Sequence, residues 1–128
     1  MTPTSYRNPF LILCAVSLLL AGLLGKGFWD HAWLVMHVAM ADEQIAIFDE
    51  MRTQAERSDP AKATDCLGYV VNYYPSGSKQ DKGSRLDKIV ESARAHAVAA
   101  IIADLRKRSG KDLGDDPQRW IDDFATKR

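Results

Sequence analysis

Three histidines, one cysteine remote from the N-terminus and a C-terminal group of aspartates are the residues of this 128-residue chain whose types could do chemistry. His31 and His37 stand six apart, not at the i, i+4 spacing that sets two imidazoles on one helix face, and no Cys or carboxylate completes a zinc set with His96. Asp112, Asp115 and Asp116 lack the alternating oxygen ligands and closing Glu of a calcium loop, so helix capping is the better reading. Arg106, Lys107, Arg108 and Lys111 could meet a phosphate, but at the end of a helix they complement its dipole. Cys66 has no neighbour in sequence that would make it a thiolate, and the serines fall in turns, so no nucleophile pairs with a base. Tyr69, Tyr73, Tyr74 and Trp120 could line a groove, although such residues more commonly build core. The expectation is no catalytic, cofactor-binding or metal-binding residues, no cofactor, and no enzyme activity.

Residues 10–24, FLILCAVSLLLAGLL, form fifteen positions without a charged or amide side chain. In water such a segment needs a core on every side, which a chain of this length cannot wrap around it, so a lipid bilayer is its natural solvent. At 1.5 Å per residue the run covers about 22 Å, short of a hydrocarbon core of roughly 30 Å, and extension to Trp29 completes a transmembrane helix over residues 10–29. Within the extension Lys26 can snorkel, and Phe28 and Trp29 suit the interfacial belt, with Tyr6 at the other interface. Asn8 reads as the N-cap and Pro9 as the first helical residue. Cys14 is a soft apolar residue of the span, since Leu13 before it does not fit a lipidation site.

The competing reading is a cleaved signal peptide and a secreted protein, with Gly25 and Gly27 as the small residues of the cleavage site. Arg7 and the terminal amine precede the span and a nine-residue tail cannot hold a domain. The N-terminus is therefore expected in the cytoplasm and the C-terminal domain outside it.

Only Arg7 of the 17 Lys plus Arg precedes Lys26, whereas all 17 Asp plus Glu follow it, so the remainder is close to neutral and shows no footprint for nucleic acid. Cys66 is its lone thiol, which fits a fold without disulfides. Gly25 and Gly27 are expected to loosen the chain and Asp30 to cap a second helix. That helix opens with AWLVMHVAMA, residues 32–41, lying either at the membrane interface or in the domain core, and ends near Arg57. Asp59 and Pro60 start a helix over 60–74. Residues 75–84, PSGSKQDKGS, read as the most mobile connection. Ser84 and Asp87 resemble a capping box before the clearest helix, striped by Leu86, Ile89, Val90, Ala93, Ala97, Ala100, Ile101 and Leu105. Gly110 ends it, and Asp116 with Pro117 starts a last helix docked by Trp120, Ile121 and Phe124.

The fold class is thus all-α: a tail over 1–9, one N-terminal transmembrane helix as signal anchor over 10–29, and a small extramembrane domain of about three to five helices over 30–128. The ending Gly110, Asp112, Gly114, Asp116, Pro117, Trp120, a G-x-D-x-G-x-D-P-x-x-W pattern, resembles that of bacterial membrane-anchored or secreted helical proteins, some with HEAT-type repeats. It spans about eleven residues, and the resemblance implies a helical, exported context and no activity. The expected partners are the lipid bilayer through residues 10–29 and an unidentified protein, and the expected role is that of a membrane-anchored interaction or accessory module.

Overall fold

The structure is a computed structural model that describes residues 7–125. Tyr6 lies outside the described residues. Among these the fold is all-α, with four helices: α1 Arg7–Arg57, α2 Pro60–Asn72, α3 Arg85–Ser109 and α4 Pro117–Ala125. The chain divides into two compact units, Met1–Met36 and His37–Arg128.

Unit 1 holds the first part of α1, and its large apolar side chains are exposed, Leu18, Leu24 and Phe28 at 75% each. This helix is long and apolar enough to cross a membrane. Three expectations are corrected here. The backbone is already helical at Arg7, so Asn8 is inside the helix and does not cap it, while Pro9 still falls in the first turn, where a missing donor costs little. Gly25 and Gly27 do not interrupt α1. A mid-helix glycine costs only about 1 kcal/mol, whereas a break would orphan four donors and four acceptors in an apolar stretch. Asp30 is consequently not an N-cap; its carboxylate accepts from Lys26 Nζ at 2.7 Å, one turn back.

Unit 2 takes the rest of α1 with α2, α3 and α4. Its core begins at Ala41, with Phe48 and Ala55 on the same face of α1, Leu67 and Val70 on α2, and Val90, Ile101 and Leu105 on α3. Of the stretch 32–41, Trp33, Leu34, Val35, Met36 and Val38 are exposed, so they are no part of that core. The α3 stripe is rotated slightly from the expected one: Ile102 is buried at 2% exposure and Ile89 is 47% exposed.

Local signals set the helix ends. The Asp59 carboxylate accepts from the Lys62 amide at 3.0 Å, with Pro60 in the first turn of α2. That hydrogen bond holds the Asp59 carboxyl below its ordinary pKa. α2 ends at Asn72, two residues before the expected Tyr74. Ser84 caps α3 by accepting from the Asp87 amide at 3.1 Å, and Gly110 ends it at φ 68°.

Two arginines of α3 close the ends of α2 and α1. Arg94 Nη1 donates to the carbonyls of Val70 at 2.7 Å, Val71 at 3.3 Å and Tyr73 at 2.7 Å, and Nη2 to that of Tyr74 at 2.5 Å. Arg108 Nη2 donates to the Ala55 carbonyl at 2.9 Å, and its Nη1 to that of Ser58. Each guanidinium therefore meets the unsatisfied acceptors and the negative dipole end of a neighbouring helix. Because Arg94 also lies 4.8 Å from the Phe48 ring, the same order, 48 to 58 and 94 to 108, shows α3 running in the direction of α1 within this unit.

Candidate functional site

The residues with chemical potential do not converge. Among the described residues no three His, Cys, Asp or Glu side chains gather as a metal site would. His31 is exposed, His37 half-buried, and His96 exposed on the rim of a shallow groove. Cys66 is buried, with Sγ 3.8 Å from Gln54 Oε1, and burial pushes its thiol pKa up, which is the opposite of what a nucleophile needs.

The C-terminal charges form a clasp. Arg106 Nε donates to Asp112 at 3.0 Å and Nη2 to Asp115 at 3.0 Å. The Gly114 amide and then Arg106 hold the Asp112 carboxyl below its ordinary pKa, while Asp115 and then Asp112 raise that of Arg106. Asp116 accepts from the Gln118 amide at 3.0 Å and starts α4 ahead of Pro117. Trp120 is fully buried, and its Nε1 donates to the Gly114 carbonyl at 2.8 Å across a turn that needs φ 81° at Gly114. Lys111 pairs with Asp123. The glycines, aspartates, proline and tryptophan of the C-terminal pattern thus each have a structural use.

Residues 75–84, expected to be the most mobile connection, are tied down at several points. Asp87 is 3% exposed, and its carboxylate accepts from Ser76 Oγ at 2.7 Å, the Gly83 amide at 2.8 Å and the Gly77 amide at 3.1 Å. These bonds, led by that from Gly83, lower its pKa against the opposing effect of burial. Gln80 Nε2 donates to Gln44 Oε1 at 2.8 Å, both side chains buried, and Lys79 pairs with Glu43 at 3.4 Å.

The tyrosines are less buried than expected. Tyr69 and Tyr74 are 48% and 45% exposed, and only Tyr73 packs against the core, edge-on to Phe48 at 6.2 Å. Tyr69 stacks on Tyr73 at 5.2 Å and Tyr74 meets it edge-on at 4.7 Å, with Lys79 Nζ 4.0 Å from the centre of the Tyr74 ring.

A groove of about 270 Å³ runs between α1 and α3 of unit 2, floored by Ile45, Phe48, Ala93 and Ala97 and edged by Asp49, Arg52 and His96. Arg52 Nη2 donates to Asp49 at 2.5 Å, so those rim charges are matched. The feature with the largest unmet physical demand is in unit 1: the apolar surface of α1. No family model, curated protein or solved structure matches the chain. Sequence reasoning located the apolar stretch from composition. It missed the roles of Arg94, Arg108 and the Gln44–Gln80 pair in joining elements, with partners from 20 to 53 residues away that leave no local pattern.

Proposed function

We propose that this is a single-pass membrane protein in which residues 10–29 anchor a small helical interaction or accessory module. The observation that carries the reading is exposure: none of the apolar window of α1 is buried. Twelve large apolar side chains are exposed over residues 10–29, and leaving even half of them in water forgoes roughly 9–18 kcal/mol. That is as much as the whole stability of a typical domain, about 5–15 kcal/mol. A bilayer removes the penalty, and a helix satisfies its own backbone there. Lys26, paired with Asp30 near the end of the span, and the exposed Phe28 and Trp29 suit the interface. The proposed topology, from the charge at Arg7, puts the N-terminal side of the span in the cytoplasm and unit 2 outside it.

Leu18→Arg tests the anchor, since a central arginine opposes insertion by about 2.5–3.5 kcal/mol on translocon scales. The substituted protein should shift from the membrane to the soluble fraction; unchanged membrane recovery would count against a span centred there. Cleavage and secretion is the rival reading, and intact mass decides it, because loss of about the first 27 residues would mark cutting at Gly25 and Gly27.

A further inference from the structure

Within unit 1 the helix carries a groove of about 200 Å³ lined by Trp29, Ala32, Trp33 and Met36. Trp29, Trp33 and Met36 are 68, 48 and 38% exposed, and Ala32 leaves the gap between them. Two turns earlier the space beside Gly25 is open, with no atom within 4 Å of where a Cβ would stand. Gly25, Trp29, Ala32 and Met36 follow one another at spacings of four, three and four, which sets them on one helix face as small, large, small, large. Such a face interdigitates with a parallel copy of itself, because each bulky side chain enters the hole bounded by small ones on the facing helix.

We propose that two copies of this chain pair in parallel through the face made by Gly25, Trp29, Ala32 and Met36. The inference rests on the membrane-anchor reading and names the partner of that same helix as a second copy. Anchors over residues 10–29 hold every copy at one depth and in one direction, so the face meets itself in register. Twenty residues fill about 30 Å of hydrocarbon. Ala32 to Met36 then lie about 4–11 Å past it, where water restores a drive to hide apolar surface that helices inside hydrocarbon lack. A parallel pair of identical helices in register sets like charges side by side, which opposes pairing wherever charges are unmatched. Between Asn8 and Ala41 the only Asp, Glu, Lys or Arg residues are Lys26 and Asp30, and they neutralise each other at 2.7 Å within the helix. A second copy therefore approaches without net charge and brings the matching pattern at the matching depth, which a partner of different sequence has no cause to do. An aromatic side chain buries about 150–250 Å². Covering the exposed parts of Trp29 and Trp33 in both copies thus removes roughly 350–600 Å² from solvent. That is well short of the ~1,200 Å² of a stable free interface, so the pair depends on the membrane, which confines both copies and raises their effective concentration.

The test uses the full chain, with Cys14→Ala and Cys66→Ala, in phosphatidylcholine vesicles. A single cysteine is placed at Ala32→Cys or Met36→Cys on the proposed face, or at Leu34→Cys on the opposite side of the helix, and is oxidised with copper phenanthroline. Disulfide-linked dimer should form several-fold faster at 32 and 36 than at 34. Because Ala32→Cys adds a single heavy atom, that variant keeps the test valid if Met36→Cys disturbs the packing. Equal rates at all three positions would overturn the pairing, as random collision in the bilayer. No dimer at any position in vesicle-bound protein would overturn it too, leaving the groove to lipid or to a different protein. Recovery of the protein away from the vesicles would overturn the anchor reading itself.

Discussion

Arg94 and Arg108 spend their guanidinium groups on backbone carbonyls of other helices, so each acts where a single residue has the most leverage. The Arg94 side chain is 11% exposed, and its Nε sits 3.3 Å from Glu91, an ion pair without hydrogen-bond alignment. Arg94→Met should remove about 2–4 kcal/mol of stability, because several acceptors at the end of α2 lose their donors at about 1–3 kcal/mol each where buried. Arg94→Lys should recover part of this, and denaturant melts of the full chain in detergent would read both. Asp87 makes the complementary prediction on pH. Its folded pKa lies below the unfolded value, so its stabilisation is complete above the ordinary carboxylate range and is lost as pH falls through the folded value. Asp87→Asn should cost about 1.5–3 kcal/mol at neutral pH, from weakened charge-assisted hydrogen bonds. The gap from the parent should close progressively below about pH 4. A gap independent of pH would show that Asp87 acts through shape alone.

Four helix ends fall where short-range signals place them, three by a side chain that caps its own backbone and one by a glycine at positive φ. Asp59 before Pro60, Ser84, Gly110, and Asp116 before Pro117 were all legible, since each acts within three residues of itself. Gly25, Gly27 and Asp30 misled because glycine marks a break only when something else gains from breaking, and in an apolar helix nothing does. The connection 75–84 has the Gly, Ser and Lys composition of a free loop, and its contacts with Asp87 and Gln44 come from outside it and leave no mark in that composition. Arg108 was read as serving its own helix end when it serves that of α1. At this scale the clasp of α4 is testable. Trp120→Ala should cost about 3–5 kcal/mol and Ile101→Ala about 2–5 kcal/mol, both being fully buried. Thermal melts near the parent value for Trp120→Ala would show that α4 is dispensable to the fold. Cys66, 3% exposed and with its thiol pKa raised by burial, should label far more slowly than a thiol introduced at Lys107.

For the molecule as a whole, two surfaces make opposite demands. Unit 2 carries its own buried core, and its buried carboxylate, Asp87, is hydrogen-bonded within it. Among the described residues the apolar helix of unit 1 exposes every large apolar side chain. Composition alone revealed that asymmetry, whereas the structure added that apolar exposure continues to Val38 before the core starts at Ala41. The most direct test of the anchored-module account is alkaline carbonate extraction of membranes that hold the full-length chain, followed by intact mass of the retained protein. Recovery in the pellet at full-length mass is the expected result, and release into the supernatant at full length would contradict it.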